Sequence, residues 1–323
     1  MSEDRKQSES TAPSRSWVVV FAFAGFVSLL AARDVWWETS LQKTESFASF
    51  AALLWIVTAV LSSVFLVVRG EISSLVTRLK DLRVAAIAIG YGILSGTLYT
   101  VGFYLVSKMG AGLFNMIEYS IYPIALMLLA VTWRRNKFER HSVLDISIYL
   151  VGLTLLLSGL GMGGAAFAGL AAVLPIITAT CDALTDYLLD PKKGNLTKSQ
   201  VLFLRSAPAA VVVSAYAAIY TKTGFVVIDA FESIAAAIVC GFVPLWLLCT
   251  ALAKADMKYL VRWICLIPAL TFIGTLHLHW DSITGVQLAG AVVITVGWFL
   301  GFSGVTKTVW NSLKRRQQSS YAH

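Results

Sequence analysis

The sequence predicts an all-α polytopic membrane protein of about ten transmembrane helices in two inverted five-helix repeats. Three observations carry this prediction. Hydrophobic residues make up 57% of the 323 positions and charged residues only 14%, whereas a soluble domain needs roughly 25% charged residues to cover its surface. Apolar runs of about 20 residues, the length that spans a bilayer as a helix, recur along the whole chain. Finally, Phe103 to Pro123 and Cys249 to Pro268 follow one pattern: an apolar segment ends, a lysine follows (Lys108, Lys254), and a second apolar segment carries a proline (Pro123, Pro268).

The candidate spans are 17–37, 48–68, 84–106, 113–132, 143–160, 168–188, 200–220, 231–253, 259–277 and 285–303. Arg5, Lys6 and Arg15 before the first apolar run imitate a secretory signal, but nine further spans follow in register, so this run is read as the first span. After each mid-helix proline come glycines seven apart, Gly152 and Gly159, then Gly290 and Gly297. That spacing is two helical turns on one face, which lets a neighbouring helix approach closely. A boundary near Gly161 to Gly164 leaves five spans on each side. An odd number per half makes the two copies enter the membrane from opposite sides, so the repeat is inverted. The expected organisation is a tail over 1–16, repeats over 17–160 and 167–303, and a basic tail over 304–323.

The formal net charge of +8 is a topology signal. Of the 26 lysines and arginines, 20 fall in the terminal tails and alternate loops. By the positive-inside rule both termini are cytoplasmic, and the expected location is the plasma (bacterial inner) membrane. A basic balance distributed in this way argues against nucleic acid as a partner.

Cys181, Cys240, Cys249 and Cys265 lie within spans without metal-ligand spacing and are read as packing residues. His277 and His279, two apart, point to different helix faces, so no metal site is expected. Gly301-Phe302-Ser303-Gly304 imitates the serine motif of intramembrane proteases, but only His323 in the tail follows it. With no base for the serine and no phosphate-binding loop, neither an enzyme nor a cofactor is expected.

In the first half, FYLVSKMGAG, Pro123, the polar Asn136 to Ser142 containing Glu139, and the glycine-bearing Leu150 to Gly159 follow one another. This order resembles the EamA-like family of the drug/metabolite transporter superfamily. The second half matches more loosely: Pro268 and Gly290/Gly297 agree, while Asp281 stands where the acidic residue is expected. Arg205 resembles a basic residue common in the family's seventh span. The second span lacks an arginine often found there, and Arg33-Asp34-Val35-Trp36-Trp37 is unusual for the family. The resemblance covers roughly residues 17 to 303 and implies ten helices in inverted repeats and transport of small metabolites, often export.

Charges inside spans cost roughly 2.5–3.5 kcal/mol each at a helix centre, so they are expected to face the bundle interior or water. Asn115, Glu118, Tyr119 and Tyr122 share one helix face just before Pro123, and Tyr259, Arg262, Trp263 and Leu266 repeat the spacing before Pro268. The expected site is a cavity in which Glu118 takes an ammonium, Arg262 takes a carboxylate bidentately, and Tyr119, Tyr122 or Trp263 form the walls. A structural ion pair, or an Arg262 snorkelling to the interface, is the bland alternative. Asp182 stacks over Asp186 in the sixth span, near Thr178 and Thr185, and Trp246 is a further wall candidate. Pro123 and Pro268 are the hinge candidates. Trp36 and Trp37 read as interfacial anchors.

The function expected is secondary transport of small amphipathic metabolites such as amino acids by alternating access, as an exporter or exchanger. A lipid or lipid-precursor flippase and a non-transport membrane scaffold are the alternatives. The expected partners are a small-molecule substrate and the lipid bilayer, with a coupling proton and a homodimer left open.

Overall fold

The computed structural model describes residues 17–39, 46–132, 142–158, 162–220, 230–255, 260, 263, 264, 266–279 and 284–303. In chain order the helices are α1 (Trp17–Thr39), α2 (Phe47–Val68), α3 (Ile72–Leu79), α4 (Leu82–Met109), α5 (Ala111–Thr132), α6 (Ser142–Ser158), α7 (Met162–Leu189) and α8 (Lys198–Tyr220). They continue as α9 (Ala230–Ala237), a π-helical turn (Ile238–Phe242) running into α10 (Val243–Leu252), then α11 (Leu266–His279) and α12 (Gly285–Ser303). All regular structure among the described residues is helical. Six stretches are long and apolar enough to cross a membrane: Trp17–Thr39, Phe47–Val68, Leu82–Met109, Ala166–Leu189, Lys198–Tyr220 and Phe231–Leu252. Ile146–Ser158, Leu266–Leu276 and Gly285–Gly297 are shorter apolar helices. The outer faces carry exposed Phe21, Val211, Ile219, Phe231 and Ile273, the reverse of a soluble surface and suited to hydrocarbon.

Local chemistry sets the helix ends. Ser46 caps α2 by accepting the Ser49 N–H, and Asp81 caps α4 by accepting the Arg83 N–H. Gly110 alone joins α4 to α5, with φ +81° and ψ 151°, a backbone region essentially restricted to glycine. Gly110→Ala is therefore expected to destabilise the fold by about 1–3 kcal/mol, read as a lower melting temperature in detergent. An unchanged melt would show that this joint tolerates a side chain. At the end of α7, the Asp190 carboxylate accepts the Lys192 N–H and pairs with Lys193 at 3.0 Å. These contacts pull its pKa below the usual carboxylate range.

Helix pairs close where small residues meet. Helix α8 packs against α2 and α4, α6 against α12, α5 against α7 and α11, and α1 against α10 and α11. A Cβ on Gly92 would stand 2.7 Å from the Pro208 side chain, and one on Gly96 would stand 2.9 Å from Val213. At the α6–α12 contact a Cβ on Gly290 would lie 2.6 Å from the Leu156 nitrogen and 2.7 Å from the Gly152 oxygen. The glycine spacing thus marks a close helix contact, with Gly152 and Gly290 facing each other; Gly159 lies outside the described residues.

Two elements differ from the sequence expectation. Residues 72–79, read as loop, form α3, whose Leu75 is buried and whose Ser74 accepts a hydrogen bond from Gln200 Nε2 at the start of α8. The eighth span is not one regular helix. In an α-helix the ring of Pro244 would press on the carbonyl of Cys240. The π turn widens the spiral just before it, and the Val243 N–H reaches back to the Ile238 carbonyl.

Candidate functional site

Five acidic and basic side chains converge on a small cavity between α1, α4, α5, α7, α8 and α10: Arg33, Asp34, Glu118, Asp182 and Arg205. Apolar walls come from Phe26, Leu98, Phe114 and Leu245, and Tyr99 and Tyr119 add hydroxyl-bearing rings. The free volume is about 50 Å³, enough for a few waters at roughly 10–15 Å³ each. Ligand pockets usually measure about 300–1,000 Å³, so this conformation is contracted.

Each charge is held by a defined contact. Asp34, 1% exposed, lies 2.6 Å from the Arg33 Nε, and its other oxygen accepts from Asn115 Nδ2 at 2.9 Å. The Arg33 guanidinium sits over Tyr99, 4.8 Å from the ring centre, and over Phe103. Glu118 accepts the Thr178 hydroxyl at 2.7 Å, and Asp182 accepts the Tyr122 hydroxyl at 2.9 Å. Arg205 Nε donates to Ser95 Oγ at 3.0 Å, and its guanidinium lies over Tyr91. Tyr91 in turn bonds Thr185, one turn beyond Asp182.

Of the sequence-derived candidates, Glu118, Tyr119 and Asp182 line the cavity. Asn115 and Tyr122 sit one layer behind, each hydrogen-bonded to a lining carboxylate. Asn115 is fully buried, and its Oδ1 has no partner among the described residues. Pro123 lies inside α5, five residues after Glu118, and Pro268 is the third residue of α11. Arg262 lies outside the described residues.

The structure places the tryptophans elsewhere. Trp263 stacks on Phe23 with ring centres 6.5 Å apart, and it is its neighbour Ile264 that reaches the cavity. Trp246 packs against Phe65 at 4.8 Å and under Arg69, while Leu245 and Leu248 of the same helix face the cavity. Trp37 is not an interfacial anchor. It is 1% exposed, stacked on Phe50, and it donates to the Phe103 carbonyl and the Ser107 hydroxyl. Trp36 donates to Glu232.

Arg33, Asp34 and Thr178 were legible only as isolated polar residues in apolar runs, and Arg205 only through the family resemblance. Glu38 is a further buried acid. It accepts the N–H of Ala111, the first residue of α5, at 2.7 Å, where the helix dipole favours negative charge.

No family model matches the chain, and no curated protein matches it. Solved structures do share its fold. One, described only as "Crystal structure of protein", superposes with a TM-score of 0.62 over 91% of this chain and 99% of its own, at 14% identity. A likeness at that identity is one of fold alone.

Proposed function

We propose that the chain is a secondary transporter of the EamA-like kind, a ten-span drug/metabolite transporter that exports or exchanges small zwitterionic metabolites such as amino acids. The carrying observation is the charge inventory of the central cavity. Asp34, Glu118 and Asp182 oppose Arg33 and Arg205, so full ionisation of these described lining residues leaves one negative charge in excess. Asp34 is matched by Arg33 at 2.6 Å, whereas Glu118 and Asp182 each accept a hydroxyl, from Thr178 and Tyr122, and of these two Glu118 lies on the polar face of α5. Glu118 is the natural partner for an incoming ammonium. Arg205 uses Nε on Ser95, which leaves its terminal nitrogens as a fork for a carboxylate.

The helix pairing supports an inverted repeat. Exchanging α1 with α7, α2 with α8, α4 with α9–α10, α5 with α11 and α6 with α12 carries the α5–α7 contact onto α11–α1 and the α4–α7 contact onto α10–α1. The α2–α8, α5–α11 and α6–α12 contacts map onto themselves. Such an arrangement lets either half gate one side of a shared site. Burial of Asp34, Glu118, Asp182 and Arg205 supports a carrier over a flippase, whose polar stripe would have to open sideways to lipid.

In proteoliposomes preloaded with unlabelled amino acids, labelled amino acids are expected to exchange, while monoamines and monocarboxylates exchange weakly. No counterflow of any amino acid would overturn this reading. Arg205→Lys is expected to raise KM by about tenfold or more, because a point charge cannot reproduce the guanidinium fork; an unchanged KM would remove Arg205 from the site. Reporters fused after Arg316 and within Lys192 to Lys198 are expected to report cytoplasm, and an external signal at either point would break the ten-span topology.

A further inference from the structure

A second void lies on the bundle flank between α2, α4, α7 and α8. Helices α4 and α8 touch at Gly92 and Gly96, and beyond that contact they, with α2 and α7, border an open groove. The groove measures about 500 Å³, roughly ten times the central cavity. Thr97, Val101, Leu170, Val212 and Tyr216 line it, and several of them are exposed on the flank that faces hydrocarbon. Its upper rim is aromatic: Phe47 packs against Tyr104 at 5.3 Å and Tyr220 at 5.0 Å. The exposed Lys108 stands above Tyr104, with Nζ 5.7 Å from the ring centre. No carboxylate among the described residues pairs with it. This rim is remote from the basic end that carries Arg69, Arg78, Lys80, Lys192 and Lys193.

We propose that this groove holds one acyl chain of an anionic phospholipid whose headgroup phosphate pairs with Lys108. Among the described residues the lining carries no Asp, Glu, Lys, Arg or His, and the Thr97 and Thr100 hydroxyls are satisfied by their own helix, so the groove accepts hydrocarbon without burying an unpaired charge. Tyrosines at the rim place it at headgroup level, where aromatic rings with polar tips concentrate. A lone lysine there supplies the charge complementarity that selects an anionic headgroup over a zwitterionic one.

The test is native mass spectrometry of the full chain taken from nanodiscs containing phosphatidylglycerol and phosphatidylcholine in equal amounts. One phosphatidylglycerol is expected to stay bound at about fivefold the occupancy of phosphatidylcholine, the worth of one lysine near an anionic surface. Lys108→Gln is expected to equalise the two lipids, and Val212→Trp, which fills the groove, to remove both. Thr97→Phe serves as a second plug, and only variants whose melting matches the parent are compared. Equal retention of both lipids by the unaltered chain, or retention that survives either plug in a normally folded variant, overturns the proposal. Binding is read without transport, so the result is independent of the carrier function.

Discussion

Gly290→Leu is expected to remove most of the folded, membrane-inserted protein. A Cβ there would lie 2.6 Å from the Leu156 nitrogen and 2.7 Å from the Gly152 oxygen, and both obstacles are main chain. No rotamer relieves such a collision, so α6 and α12 must separate and lose their contact. Overpacking ordinarily costs about 1–3 kcal/mol when side chains can adjust, and a backbone collision belongs at or above the top of that range. Gly152→Leu is expected to be milder, because its nearest obstacle is the Ile294 side chain at 2.6 Å, with backbone only at 3.1 Å. Gly169→Ala is the control, since nothing lies within 4 Å of its Cβ position. Size-exclusion yield and melting temperature should rank the three variants in that order. Full yield from Gly290→Leu would mean that the two helices do not touch.

Glu118→Gln is the substitution with the largest expected effect on activity. It keeps size and the contact with Thr178 but removes a cavity carboxylate that, like Asp182, is hydrogen-bonded by a hydroxyl rather than by a guanidinium among the described residues. Breaking a buried charge pair by removing one partner costs about 3–5 kcal/mol, which in affinity is roughly two to three orders of magnitude. Both amino acid exchange and gradient-driven accumulation are therefore expected to fall together. Loss of accumulation with intact exchange would assign Glu118 to a coupling proton, and full activity would place the substrate elsewhere. Tyr122→Phe probes the layer behind. It removes the hydroxyl held by Asp182 at 2.9 Å and is expected to change transport less than Glu118→Gln does, by about tenfold.

What could be read ahead of the structure follows from what a bilayer penalises. Each of the ten apolar stretches is long and strongly marked, and helix is what satisfies every backbone group in lipid, so an all-helical chain was legible throughout. Glu118 and Asp182 stood out because a carboxylate in an apolar helix needs a compensating reason. Their partners did not, because partner choice is a property of the fold. Repeat symmetry pointed to Arg262 and Trp263 opposite Glu118; Arg262 lies outside the described residues, and the cations that line the cavity among the described residues are Arg33 and Arg205. Trp246 was misplaced for a geometric reason. It was named as a wall candidate from its place in the eighth span alone, and a π turn at Ile238–Phe242 precedes it and shifts which residues share a face. Helix α3 was missed because eight residues between two spans carry too short a period to separate from loop.

The single-residue joint at Gly110 makes α4 and α5 a crank rather than two independent rods. Helix α4 contributes Tyr99 and Phe103 to the cavity wall, and α5 contributes Glu118 and Tyr119. No loop between them can absorb a displacement, and the Glu38 carboxylate pins the Ala111 N–H just beyond the joint. If the proposed carrier tilts α5 about Pro123, the adjoining end of α4 is carried with it, along with the Trp37 indole hydrogen-bonded to Phe103 and Ser107. Wall and carboxylate would then travel as one part, and in the proposed carrier the cavity would widen without Glu118 parting from the aromatic surface beside it.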